Sequence, residues 1–249
     1  MIKGIYAAVS AMLAGISNQG LKAHNTANMD TPGFKEVFNT MKESSTSEVL
    51  HPTEKRFGPS HESIGKLGLG VVATGPRTNF ADGELHVTNQ ALDFALQGDG
   101  FFKIMTPEGE RFTRDGRFSR DANGTLVTVD GNKVLDSSGK PIQLVEGDPV
   151  IDSKGGIYIN GQLAGQLGIS EFANPETQLQ NEGGNHFIAN GATTQSTTNT
   201  SIHQGYLEKS NVNAVDLMIG TKSYQAAHKM VQTQDELLGK SISTLGRIK

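Results

Sequence analysis

Leu217, Tyr224, Val231, Leu238 and Leu245 recur at every seventh position, with Thr221, His228, Asp235 and Ile242 interleaved between them. A seven-residue recurrence keeps one stripe on one side of an α-helix and asks for a partner helix along it. The spacing predicts a helix over about 212–246. Asn211 and Asn213 are placed to cap its start, and Arg247 and Lys249 suit the negative end of its dipole. The opposite end of the chain carries a matching stripe: Ile2, Ile5, Val9, Met12 and Ile16, with Ala23 continuing beyond Gln19. Ala7, Ala8, Ala11 and Ala14 fill neighbouring positions and favour helix, which predicts a helix over about 3–27. It should fail near Asn25–Asn28, because Thr31-Pro32-Gly33 cannot continue it.

The period changes between these helices. Residues 40–66 are rich in Ser, Thr, Pro, Gly and charge, a composition that buries little and reads as an extended, adaptable connector. From about Gly68, short apolar runs such as Leu92–Leu96, Phe101–Met105, Leu126–Val129 and Ile157–Ile159 alternate with turn signals. Pro107-Glu108-Gly109, Asp121-Ala122-Asn123-Gly124, Asp130-Gly131-Asn132 and Ser137-Ser138-Gly139 supply hairpins. The expected class is therefore α+β: terminal α-helices paired as a coiled-coil-like stem, an extended connector and a central all-β domain. Residues 1–35 hold the N-terminal stem helix, 36–75 the connector, 76–205 the β-rich head and 206–249 the C-terminal stem helix.

Charge follows the same division. Lys3, Lys22 and Lys35 against Asp30 leave the first segment positive, and five basic against three acidic groups do the same for 212–249. The acid excess that gives the whole chain a formal charge of −4 lies between them, which speaks against a nucleic-acid binder. With no Cys, a disulfide framework, a thiolate metal site and a cysteine nucleophile are excluded together. Gly supplies 30 of 249 residues against a usual ~7 %, as a turn-rich chain requires. No stretch approaches the ~18 consecutive apolar residues of a membrane span, so no membrane insertion is expected. Ile5–Ile16 lacks a clustered basic start and is interrupted by Ser10 and Gly15, so a cleaved secretory signal is not expected either.

Catalytic patterns are weak throughout. The seven His residues never adopt a His-Glu-x-x-His spacing. Asp121-x-Asn123-Gly124 echoes a calcium loop, but its Gly comes too early and no acid closes it, so it reads as a hairpin turn. Gly68-Leu69-Gly70 lacks the Lys of a phosphate loop. Asp99, Asp115 and Asp121 each sit in a turn-like setting rather than as a carboxylate pair. No Gly-x-Ser-x-Gly elbow is present. No catalytic residue, cofactor or metal ligand is expected. The terminal seams remain the strongest feature. Burying each large seam side chain yields about 1.5–3 kcal/mol, whereas ordering a helix costs about 1–2 kcal/mol per residue, so a single helix pair has a thin margin and further packing partners are expected.

Three ordered stretches resemble the bacterial flagellar basal-body rod and hook-basal-body family. They are Asn25-Thr26-Ala27-Asn28-Met29-Asp30-Thr31-Pro32-Gly33-Phe34-Lys35; Leu92-Asp93-Phe94-Ala95-Leu96-Gln97-Gly98-Asp99-Gly100-Phe101-Phe102 with Phe112-Thr113-Arg114-Asp115-Gly116-Arg117-Phe118; and Gly205-Tyr206-Leu207-Glu208-Lys209-Ser210-Asn211-Val212-Asn213. The chain departs from the family pattern at His24, Thr26 and Thr221-Lys222-Ser223-Tyr224, which leaves the rod subtype, proximal or distal, open. At 249 residues it is shorter than a hook protein with its further outer domain.

The resemblance implies a non-enzymatic subunit that self-assembles through its terminal helices into a hollow helical axial structure. It implies export by the flagellar type III apparatus, and copies of itself and other rod and hook proteins as partners. Its place would be the flagellar basal body, in the periplasm or the cell-wall zone. The expected assembly interface comprises Ile5, Val9, Met12, Ile16, Asn25 and Asn28 with Leu217, Tyr224, Val231, Leu238 and Leu245. Thr31, Pro32, Gly33 and Phe34 are the expected hinge, with Phe34 reaching into a neighbour. Gly98, Asp99, Gly100, Phe101 and Phe102 form the head motif. A secreted β-rich binding module or adhesin on a helical stalk is the alternative, and a glycan hydrolase of the cell wall a more distant one.

Overall fold

The computed structural model describes residues 2–44, 46–55, 58–68, 70–191, 195–196 and 200–245. The chain is mostly β with two long helices, an α+β fold, and divides into two compact units. Met1–Thr26, Val37–Arg77 and Asn213–Lys249 form one; Ala27–Glu36 and Thr78–Val212 form the other. The second unit thus takes in residues 27–36 and 206–212, which the sequence pattern had grouped with the helices.

In the first unit the N-terminal helix spans Ile2–Ala27 and the C-terminal helix Ala214–Leu245, close to the periodic stretches that predicted them. Arg247 and Lys249, the expected dipole partners, lie outside the described residues. The polar stretch after the first helix is paired rather than adaptable. Thr46–Lys55 and Gly58–Gly68 form an antiparallel hairpin, and Val37–Glu43 pairs with Val71–Thr78. Backbone hydrogen bonds hold such ribbons without a hydrophobic run, and their Ser and Thr side chains tolerate exposure on both faces.

The N-terminal helix meets this ribbon through small and polar residues. Val71 N–H donates to Ser10 Oγ at 3.1 Å, Asn39 Nδ2 donates to Ser17 Oγ at 3.0 Å, and Ala14 between them is buried. A Cβ on Gly70 would lie 2.1 Å from Ser10 Oγ, so only glycine lets the strand come this close. Asn25 closes the face from both ends of its amide. Its Nδ2 donates to Val37 O at 2.8 Å, and its Oδ1 accepts from Val37 N–H at 3.1 Å.

The core of the second unit lies on both faces of the strand Gly100–Thr106. Its sheet runs, edge to edge, Leu179–Gly183, His186–Ala189, Gly109–Thr113, Gly100–Thr106, Lys133–Val134, Leu126–Thr128 and Phe118–Arg120, with Ile169–Glu171 also paired to Gly100–Thr106. Successive side chains of a strand point to opposite faces. Phe101 accordingly joins an aromatic cluster with Phe112, Phe172, Leu179 and Phe187, while Phe102 and Ile104 join a larger cluster that includes Phe94, Leu126, Ile157 and Ile202. Burial on both sides explains the unbroken apolar run Phe101-Phe102. Around this core the predicted turns are built from one device. Asp121 Oδ1 accepts the N–H groups of Asn123 and Thr125, Asp136 Oδ1 those of Ser138 and Lys140, and Asp152 Oδ1 those of Lys154 and Gly156.

Candidate functional site

The carboxylate of Glu208 is the point at which all three motif stretches meet, inside the β-rich unit. The path to it begins where the N-terminal helix stops. Thr31 N–H donates to Asn28 O at 3.0 Å and Phe34 N–H to Thr31 O at 3.2 Å, turning the chain through Pro32 and Gly33. Gly33 has a φ of 66°, its N–H donates to Glu208 O at 2.7 Å, and a Cβ there would lie 2.3 Å from the Arg114 carbonyl carbon. Both the left-handed backbone and the close approach require glycine. Pro32 O accepts from Asn185 Nδ2 at 2.9 Å, which ties the turn to the sheet.

Lys35 follows, with its side chain 1 % exposed. Its Nζ donates to Glu208 Oε1 at 2.7 Å and to Ala81 O at 2.8 Å. Glu208 Oε1 also accepts from Gly83 N–H at 2.7 Å, and Glu208 Oε2 from Arg114 Nη1 at 3.2 Å. That nitrogen reaches Asp82 Oδ1 at 3.2 Å as well, while Arg114 Nη2 donates to Gly98 O. The Arg114 guanidinium carbon stands 4.7 Å from the centre of the Phe101 ring, so the charged cluster and the aromatic cluster share a wall.

Burial pushes the Lys35 amine below its ordinary value of 10.5, Arg114 pushes it the same way, and Glu208 and Asp82 pull it back. Buried ions cost several kcal/mol each to desolvate, so such a cluster persists only when each charge is held by several partners. Its groups saturate one another through hydrogen bonds. What the arrangement does is hold together chain segments that are distant in sequence. Asn211 completes the clasp: its Oδ1 accepts Glu36 N–H at 2.7 Å, and its Nδ2 donates to Asn79 O at 2.8 Å and Ala81 O at 2.9 Å. The expected role of Asn211 as a helix cap is therefore corrected. Its amide is committed to residues 36, 79 and 81, and the position just before the C-terminal helix belongs to Asn213.

The residues singled out from sequence fall into several settings. Gly98 has a φ of 112° and lends its carbonyl to Arg114; Asp99 is exposed; Gly100, Phe101 and Phe102 are buried in the sheet. Thr31 and Pro32 are half-buried, whereas Gly33 and Phe34 are buried. Phe34 is 4 % exposed, so its ring is enclosed by this chain and is not offered to a neighbour, contrary to expectation. Asn25 is likewise enclosed, at 2 %, and Asn28 is half-buried. Along the N-terminal seam, Val9 and Ile16 are 40 % and 48 % exposed and Met12 is half-buried. On the C-terminal helix Val231 and Leu238 are half-buried, and among the described residues of that helix no side chain is buried. The side chains of Ile5, Leu217, Tyr224 and Leu245 lie outside the described set.

Lys35, Arg114 and Glu208 stood inside the motifs without being marked as a site, and Asp82 carried no sequence signal. Nothing in linear spacing joins charges so far apart.

Comparison with known proteins finds two family matches. Residues 95–171 match the flagellar hook protein FlgE/F/G D1 domain, and residues 203–245 match the flagellar basal body rod FlgEFG protein C-terminal family. Flagellar basal-body rod protein FlgF of Mesorhizobium japonicum is 32 % identical over 256 residues, spanning 99 % of this chain and 99 % of its own length. FlgG of Borreliella burgdorferi is 30 % identical over 263 residues, with 96 % and 97 % covered. FlgF of Caulobacter vibrioides is 33 % identical over 254 residues, with 96 % and 99 % covered. Arg114 falls within the first matched stretch and Glu208 within the second, whereas Lys35 precedes both.

Proposed function

The chain belongs to the flagellar basal-body rod protein family, and on that premise we propose that its copies polymerise through their terminal helices into a hollow helical axial structure serving motility. As a family member it is a structural component of the basal body and assembles with other flagellar axial proteins. In this reading it is not an enzyme. It leaves the cell through the type III export apparatus and works in the periplasm or the cell-wall zone. A chain without cysteine suits that route, since no thiol can cross-link in an oxidising compartment.

The observation that carries the proposal is the state of the C-terminal helix. It is 32 residues long, and its described side chains are without exception exposed or half-buried. Helical stability in proteins comes mostly from packing an apolar face, so a helix of this length needs partners along it. Val9 and Ile16 offer the N-terminal helix's large apolar stripe to solvent while its Ser10, Ala14 and Ser17 stripe serves the ribbon. The two seams then form the coiled-coil-like stem of residues 1–35 and 206–249 once many copies pack side by side. Residues 36–75 connect it to the head of 76–205, and Thr31–Phe34 set where the chain turns from one to the other.

Sedimentation and electron microscopy of the purified full-length chain over a concentration series test this reading. Filaments or oligomers that grow with concentration are expected. A sample that stays monodisperse at high concentration, together with normal swimming in cells lacking the chain, would overturn it.

A further inference from the structure

Between the N-terminal helix and the strand Val71–Thr78 lies a groove of about 320 Å³ lined by Leu13, Ala14, Val71, Val72 and Ala73 among others. Small residues floor it, while Leu13 and Val72, at its lips, are 63 % and 52 % exposed. An apolar surface left open in this way on a water-soluble unit marks an interaction site. We infer that the groove receives the C-terminal helix of a second copy of the chain. This rests on the assembly reading above and specifies its contact.

Shape and charge both favour that occupant. The C-terminal helix exposes Met230 by 61 % and, seven positions on along the same stripe, Leu237 by 52 %. Large side chains at heptad spacing are the knobs that a floor of Ala and Val accommodates. The helix that walls the groove contains Lys3 and Lys22 and no Asp or Glu, whereas exposed Asp235 and Glu236 immediately precede Leu237. An acidic pair beside an apolar anchor thus faces a wholly basic helix. Groove and helix are different surfaces of one chain, so the contact is heterologous: each copy that inserts its helix still presents an open groove to the next. Repetition without closure gives a filament.

Because the chain has no cysteine, introduced pairs report contacts without background. Leu13→Cys in one preparation would be mixed with Leu237→Cys or Met230→Cys in another, assembled, mildly oxidised and separated without reductant. Val72→Cys on the opposite lip serves as a second probe should Leu13→Cys disturb the fold, and Lys154→Cys on the β-rich unit is the control. Mixed dimers joining 13 or 72 to 230 or 237 are expected at roughly tenfold or more over those with 154, since seating in the groove raises effective concentration. Assembly with no such excess overturns the groove contact while leaving polymerisation intact. So does a Leu13→Cys/Leu237→Cys double variant that cross-links within a single chain. A mixture that sediments as monomer overturns the assembly reading itself.

Discussion

Lys35 and Glu208 stand 173 positions apart in the sequence, yet their charged ends meet at 2.7 Å with both side chains 1 % exposed. Arg114 adds a second cation on the other carboxylate oxygen. Glu208→Gln removes the only fully buried anion shared by two cations in this cluster. It should lower stability by about 3–5 kcal/mol, the usual consequence of leaving buried charge uncompensated. Lys35→Met/Glu208→Leu should recover much of that loss. Chemical denaturation of the two single variants and the double variant measures the coupling, and additive losses would count against it.

Gly33→Ala should destabilise the chain well beyond Gly131→Ala. Both positions have positive φ, 66° and 82°, but a Cβ at 33 strikes the Arg114 backbone while nothing lies within 4 Å of one at 131. The shared left-handed backbone costs about 1–2 kcal/mol. The excess at 33, read from denaturation midpoints, reports the collision alone.

Asn25→Ala should loosen the start of the ribbon. It strips both partners from the Val37 backbone, a loss of about 1–3 kcal/mol for each buried group left unsatisfied. Amide hydrogen exchange should accelerate over Val37–Glu43 and remain unchanged over Gly100–Thr106. Equal acceleration in both would mean that the clamp does not act locally.

Leu238→Asp should abolish incorporation into polymer without affecting the β-rich unit. A charge set on the half-buried seam must be desolvated in any packed lattice. Pelleting reports assembly, and circular dichroism with the denaturation midpoint reports the fold; normal pelleting would remove this position from the seam.

Acid should weaken the contact between Arg111 and Glu182. The hydrogen bond from Arg111 holds the Glu182 carboxyl below its ordinary value of 4.5, against a smaller opposing effect of burial. Because the folded value is depressed, the stabilisation is complete above 4.5 and is lost as pH falls through the folded value. Wild type should therefore lose more stability on acidification than Glu182→Gln, with the two curves converging at the acid end. Parallel curves would show that the pair contributes nothing.

The long helices were legible because a seven-residue recurrence survives in any order of reading, and Phe101-Phe102 was legible because a strand buried on both faces cannot alternate. The face that the N-terminal helix turns to its own ribbon was not. Ser10, Ala14 and Ser17 are too small to register as an apolar stripe, so the larger Val9 and Ile16 drew attention to the opposite surface. The ribbon of residues 37–78 was hidden for a related reason, since backbone pairing leaves no mark on a Ser- and Thr-rich composition. Asn211 looked like a cap because Asn favours helix starts, but its amide also fits a place where three backbone groups converge. The charge cluster lay in plain view as single letters of separate motifs, and only the folded chain sets Lys35, Arg114 and Glu208 side by side.

The order in which these residues are reached along the chain gives the cluster one more role. A polypeptide cut short before Glu208 would have to enclose Lys35 and Arg114 with no shared anion between them, so the β-rich unit cannot seat its two flanking strands properly until synthesis has passed that point. The clasp thereby works as a proofreading device for length: only a product that includes its last helical segment's threshold can reach the finished fold.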